Sequence, residues 1–352
     1  MKYLDRNGLA SLLQELSGEY DLYAPQRVDD SLVLRRLAPT QEPLQVAWND
    51  FRLAEPLKSL WFQPSRIVAK WSRGAPQDPA PPRPRAMVGA KACDLRALAI
   101  IDKVFAEHEF PEPAWCKARE RNLIISGDCT NAAETCFCTM LGEAPHPEGG
   151  FDLNLAPVDG GYLVEIGSEK GENVVQAFSS LFAEPAPNLA QGRDERRAGI
   201  KAQVEKLNER FPVREPFEKS VDKNLKTRIW GDLAATCVEC NACNTVCPTC
   251  HCFMLKDVAD ETACVRVSLW DSCFHAGYAR MAGGGTPRLQ LTERFKNHYF
   301  HKFVGFPRNW GVTACTGCGR CIDACMGRID KRDCLHQLET RWIPSEMVDE
   351  IS

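Results

Sequence analysis

Two stretches of the chain carry cysteines at one spacing. Cys237, Cys240, Cys243 and Cys247 run C-x2-C-x2-C-x3-C and are followed by Pro248. Cys315, Cys318, Cys321 and Cys325 repeat the run and are followed by Met326. This is the ligand pattern of [4Fe-4S] clusters. A cube of iron and sulfide needs four thiolates at its corners, and three from one tight loop wrap three irons while backbone amides point at the sulfides. The fourth cysteine points away and serves the other cluster. The expected sets are therefore crossed: Cys237, Cys240, Cys243 and Cys325 for one cluster, Cys315, Cys318, Cys321 and Cys247 for the second. Zinc sites use separated C-x2-C pairs with four ligands each, which two matching quartets do not resemble. Gly317 and Gly319 suit a loop whose backbone must approach a cluster closely.

Ten of the 18 cysteines lie outside these runs. Cys93, Cys129, Cys136 and Cys138 fall in the first half of the chain. Cys93 follows an expected strand and opens an expected helix, whose dipole favours a thiolate. Cys129 follows the next strand, and Cys136 and Cys138 lie in the loop after it. If both strands share a sheet, the four cysteines can meet at adjacent strand ends as a third metal site, expected to be iron–sulfur. The bland alternative is buried thiols or a redox pair. Cys250, Cys252 and Cys273 flank the clusters in sequence and could shield them, ligate another centre or pack as ordinary thiols. Cys116, Cys264 and Cys334 stand alone and read as structural. His251, His275, His298 and His301 receive no ligand role. Gly283-Gly284-Gly285 lacks the strand and the following glycine of a dinucleotide fingerprint, and no P-loop or G-x-S-x-G occurs.

The elements that position these residues are expected as follows. Leu9, Leu12, Leu13 and Leu16 mark an amphipathic helix, and Tyr20–Tyr23 and Leu32–Leu37 read as strands. Pro76–Pro84 holds five prolines in nine residues and reads as an extended loop. Ala86–Gly89 is a strand, with Asp94 capping a helix through Phe105. Asn122–Ser126 is a buried strand. Phe151–Leu155 and Tyr162–Ile166 form a hairpin around Asp159-Gly160-Gly161. Asn173–Phe182 is a helix, Pro185-Ala186-Pro187 a break, and Arg193–Arg210 a helix with Ile200, Val204, Leu207 and Phe211 on one stripe. Strand signals vanish beyond about Thr227. The expected fold class is α+β: an α+β domain over residues 1–228 carrying the third site, then a mainly α-helical ferredoxin-like domain over 229–352 with two [4Fe-4S] clusters. The 67 residues from Pro248 to Ala314 separate the runs too widely for a compact bacterial ferredoxin.

At 352 residues the chain is long enough for two domains and a sizeable core. Its formal charge of −4 offers neither a basic field for nucleic acid nor a polybasic membrane anchor. With 44% hydrophobic residues it is not globally disordered. No apolar run approaches the roughly 20 residues that span a bilayer. The first sixteen residues, with Asp5 and Glu15, do not form a signal peptide. So many thiols without an export signal suggest metal in a reducing cytoplasm.

Four stretches together resemble one family: Gly89–Leu98 with its Lys-Ala-Cys-Asp, the loop Cys129 to Cys136-Phe137-Cys138, Cys237 to Cys252, and Trp270-Asp271-Ser272-Cys273 with the closing run Cys315–Cys325. They look like the iron–sulfur subunit of anaerobic sulfite reductase and the β subunit of soluble sulfhydrogenases. The resemblance covers about residues 85 to 330. The first 80 residues match it loosely, and Met326 departs from its proline. It implies an electron-transfer role between two partners. One is a catalytic redox subunit carrying sirohaem or nickel–iron, the other a flavin- and NAD(P)-binding subunit. It also implies the third cluster at Cys93, Cys129, Cys136 and Cys138. Such a chain is a component of an oxidoreductase complex rather than a catalyst by itself. Two rivals remain at this level. One is a catalytic subunit that reduces a disulfide or sulfur species with Cys250, Cys252 or Cys273 beside a cluster. The other is a scaffold whose clusters are structural.

Overall fold

The computed structural model describes residues 1–37, 48, 50–72, 83–259 and 263–341. Most of the proline-rich stretch 76–84 lies outside them. The chain divides into two compact units: residues 1–61, 81–208 and 316–318, and residues 62–80, 209–315 and 319–352. The division expected at 228/229 thus falls at 208/209, and two short segments cross over. Residues 62–80 join the second unit because the strand at 65–72 pairs with a strand at 263–270.

The first unit is built on a seven-stranded mixed sheet. Its strands are β1 (Lys2–Asp5), β2 (Asp21–Val28), β3 (Ser31–Arg36), β5 (Arg85–Ala90), β6 (Leu123–Gly127), β7 (Leu153–Val158) and β8 (Gly161–Ile166), with β4 (Ser65–Ser72) belonging to the second unit. The order is β1-β8-β7-β6-β5-β2-β3, with β2, β5, β6 and β7 parallel and both margins antiparallel. Central strands buried on both faces read as short apolar runs, which is why Ala86–Ala90 and Leu123–Gly127 were legible. The helix Arg6–Glu19 is capped by Asp5, whose carboxylate accepts from Gly8 N at 2.6 Å. It buries Leu9, Leu12, Leu13 and Leu16 in the core with Val88, Ile125 and Leu155. The hairpin β7–β8 turns on Asp159-Gly160, with Gly160 at φ 79.

Asp94 does not cap its helix. The helix spans Ala92–Phe105 with Lys91 at the cap, and Asp94 lies in its first turn, where a carboxylate still complements the dipole. The helix expected at 173–182 runs Glu169–Ala177 because Ser168 caps it early. The charged helix spans Leu189–Leu207 and buries Val204, while Phe211 lies beyond its end.

The second unit is helical around the cysteine runs, with one correction. β9 (Phe253–Ala259) and β10 (Ala263–Trp270) form a three-stranded antiparallel sheet with β4, in the order β4-β10-β9. Lys256-Asp257 interrupts the apolar residues of β9, which is exposed along its length; β10 does alternate, with Val265, Val267 and Leu269 set between Arg266 and Ser268, a strand signal that the helical expectation passed over. Leu291–Phe300, a π turn at His301–Gly305 and Phe306–Trp310 follow one another without a break. Trp230, Phe295, Tyr299 and Phe303 pack ring to ring along this rod.

Candidate iron–sulfur site

The two cysteine runs fold alike. Glu239 and Asn241 take φ values of 56 and 61; at the equivalent positions Gly317 and Gly319 take 63 and 75. Each left-handed residue at the fifth position starts a one-turn helix, Ala242–Thr245 and Arg320–Asp323. In the second unit these two short helices pack together. The left-handed residues curl the chain tightly between successive cysteines. The first run achieves this with non-glycine residues, a strain found where function requires it.

Cys325 lies within electrostatic range of Cys237 and Cys243. Cys247 and Cys315 both stand beside the Lys302 ammonium. Burial pushes the Cys243 thiol up to about 12 against the pull of Lys331, and burial raises Cys237 as well. Without a cation such thiols stay protonated, so loading metal releases protons. Ile329 N donates to Cys325 Sγ at 3.3 Å. Lys302, in the π turn, spends all three N–H donors: on Cys247 Sγ at 3.3 Å, Thr249 Oγ1 at 2.9 Å and Ala314 O at 3.1 Å. Burial opposes its charge, but Cys247, Cys250 and Cys315 outweigh that and hold it charged. No motif announces Lys302, which lies 55 residues from Cys247.

Met326 is exposed where Pro248 is buried. The second run leaves through Gly327, whose added Cβ would overlap the Thr236 carbonyl, and Arg328 at φ 54. A left-handed turn therefore does at 326–328 what proline does after Cys247. Cys240, Val238 and Met326 are exposed together at residues neighbouring this set in sequence.

In the first unit β5 and β6 are parallel neighbours, so Cys93 and Cys129 leave the same end of the sheet. Arg52, Cys93, Cys129, Cys136, Cys138 and Cys318 line one small cavity. Burial raises Cys129 to about 12 and Cys138 to about 11. The buried Lys91 stands close to Cys129 and Cys93, its Nζ donating to Trp48 O at 2.7 Å and more loosely to Gly127 O and Asp128 O. The loop is pinned by Asn208 Nδ2 to Cys136 O at 2.8 Å and Phe137 N to Gly317 O at 2.8 Å. Arg52 donates to the Cys318 carbonyl and, at 2.9 Å, to Thr135 Oγ1. A Cβ on Gly317 would lie 2.5 Å from Cys138 Cα, so only glycine fits there. Four thiols around one cavity, with cations behind them, fit a polynuclear cluster. Among the described residues no group of His, Cys, Asp or Glu is gathered tightly enough for a single ion. A cubane holds its ligands farther apart than one ion does.

The remaining thiols separate by environment. The Cys273 thiol donates toward the Cys252 sulfur. Cys250 reaches Asn244 Oδ1 at 3.6 Å. Cys116 points at Phe105 O, and Cys334 is buried against Tyr299. His251 and His301 pack at 5.8 Å between ring centres, and burial lowers His301 to about 4. His298 is buried and neutral beside Lys331, and His275 pairs with Asp271 at 2.7 Å.

Residues 236–329, spanning both runs, match the 4Fe-4S dicluster domain. The chain is also similar to sulfhydrogenase 2 subunit beta of Pyrococcus furiosus, 30% identical over 249 residues, 69% of this chain and 71% of that one. The chain belongs to the sulfhydrogenase β-subunit family. As a member of that family with a dicluster domain, it is an iron–sulfur subunit whose chemistry is electron transfer. No helix among the described residues is long and apolar enough to cross a membrane.

Proposed function

We propose that the chain relays electrons through two [4Fe-4S] clusters and a third iron–sulfur centre. Cys237, Cys240, Cys243 and Cys325 would hold the first cluster, and Cys315, Cys318, Cys321 and Cys247 the second. Cys93, Cys129, Cys136 and Cys138 would hold the third centre. The observation that supports the reading is electrostatic: Cys325 acts on Cys237 and Cys243, while Cys247 and Cys315 act on one lysine. Shared ligand loops keep two clusters close, which serves a wire. The four thiols lining one cavity support a third centre. The clusters supply one-electron redox chemistry. The chain's own residues fix their spacing, exclude water and set potentials through Lys302, Lys331 and Lys91.

The ends of the wire belong to other subunits. At one end we place a flavin- and NAD(P)-binding subunit, and at the other a catalytic redox subunit, in a cytoplasmic complex. The relative's name, a subunit of a sulfhydrogenase, supports such an assembly. The exposed Cys240, framed by Val238 and Met326, suits electron exchange with a docked partner. The test is the cluster-loaded chain alone: it should give reducible iron–sulfur EPR signals and no substrate turnover. Turnover by the chain without partners would overturn the relay.

A further inference from the structure

We propose that Cys252 and Cys273 form a redox-active pair that closes to a disulfide and reopens to two thiols. The small sheet builds the pair. Its ladder ends at Phe253 opposite Trp270, and Asp271 N donates to Cys252 O at 3.0 Å beyond that end. The chain then folds back, so that the Cys273 amide and thiol both reach the Cys252 sulfur. The two cysteines are 21 residues apart in sequence, and none of the three proposed cluster sets uses them.

Their surroundings are unequal in the way a thiol exchange requires. Cys252 is half-buried and accepts from the Tyr278 hydroxyl, which is exposed. Cys273 is buried, receives Asn244 Nδ2 at 3.3 Å, and faces His298 Nδ1 at 3.9 Å. Lys331 Nζ lies 3.1 Å from His298 Nε2; as an ammonium it donates there, so the other ring nitrogen carries the hydrogen toward Cys273. Hydrogen bonding from Cys273 and Tyr278, with the charge of Lys302, lowers the Cys252 thiol to about 6 despite its burial. Cys252 is thus the attacking thiolate and Cys273 its resolving partner. Asn244 lies between Cys243 and Cys247 in the first run, so the pair is bonded directly to a cluster loop.

Closing the pair forms one S–S bond and removes two electrons and two protons. The electrons pass to two oxidised one-electron iron–sulfur clusters, one each, and the protons go to solvent past Tyr278. Reopening reverses every term. This electron source rests on the relay reading; the pair itself rests on the geometry of the sheet.

The experiment uses the full-length, cluster-loaded chain under anaerobic conditions. Samples are poised across a series of glutathione potentials, quenched with an alkylating agent and mapped by peptide mass spectrometry. A Cys252–Cys273 link should replace the two alkylated cysteines as the potential rises. Reductive titration should take two more electrons per wild-type chain than per Cys252→Ser chain. Cys252→Ser and Cys273→Ser should each lose the link and keep full iron content. Both thiols remaining alkylatable at every potential would overturn the proposal. So would loss of one cluster's iron in either variant, which would make the cysteine a ligand. EPR on the same samples reports the relay separately, because glutathione forms the link whether or not clusters are loaded.

Discussion

Lys302→Met should lower the midpoint potential of one cluster, and the structure sets the size of the shift. The lysine is buried and its three N–H groups are all bonded, so its charge cannot swing away. Its Nζ is 3.3 Å from Cys247 Sγ. An added electron is spread over the cluster, whose centre lies farther off. For a separation of roughly 6 Å and an effective dielectric of about 20, the attraction is about 2.8 kcal/mol. For one electron this corresponds to about 120 mV. The reduced cluster is the more negative form, so it loses more when the cation is removed and the potential falls. Methionine keeps the length of the side chain and leaves Thr249 Oγ1 donating to Ala314 O at 2.8 Å, but it removes a donor from the Cys247 sulfur. Iron content must therefore be confirmed first. EPR-monitored redox titration is the assay, with Lys302→Arg as the charge-keeping control. The shift should be confined to the cluster that Cys247 serves. An unchanged or raised potential with full iron would refute the reasoning.

Crossed ligation predicts that Cys237→Ser and Cys325→Ser alter the same EPR signal, while Cys247→Ser and Cys315→Ser alter the other; pairing by sequence run would refute it. Gly317→Ala puts a methyl against the Cys138 backbone and adds about 1–2 kcal/mol of left-handed strain. Iron should drop from about twelve atoms per chain toward about eight, with a lower Tm; wild-type iron would refute it. Alkylation of Cys252 should be independent of pH above about 7 and slow as pH falls through about 6, with Cys273, Tyr278 and Lys302 as the facing groups. The folded thiol is depressed below its unfolded value near 8.5, so the stabilisation from its thiolate is full above that value and is lost through about 6. Tyr278→Phe removes a donor and should move that midpoint upward; mass spectrometry of timed quenches reads both.

The ligand runs were legible because a cluster imposes spacing on the chain locally: two, two and three residues between thiolates, wherever the fold puts them. The sheet end bearing Cys93 and Cys129 was legible because parallel central strands are short apolar runs. The strand β9 was not, since an exposed strand does not need the apolar alternation that sequence reading detects; β10 does alternate at Val265, Val267 and Leu269, but its strand partner β4 lies far off in sequence and the segment read as helical. Asp94 looked like a cap because its residue type is right; the helix starts directly after the strand, three residues earlier, and puts Lys91 there instead.

What the sequence determined by itself is the chemistry: eight cysteines in two cluster runs and four more in the first half of the chain. What only the tertiary structure decided is everything that acts through space. It set Cys325 within electrostatic range of Cys237, Cys247 beside Lys302 and the Cys273 thiol toward Cys252, and it gathered four thiols and Cys318 around one cavity. Ligand spacing is a property of a few consecutive residues. Electrostatics and thiol pairing depend on distances of a few ångströms between residues far apart in sequence, and only packing sets those.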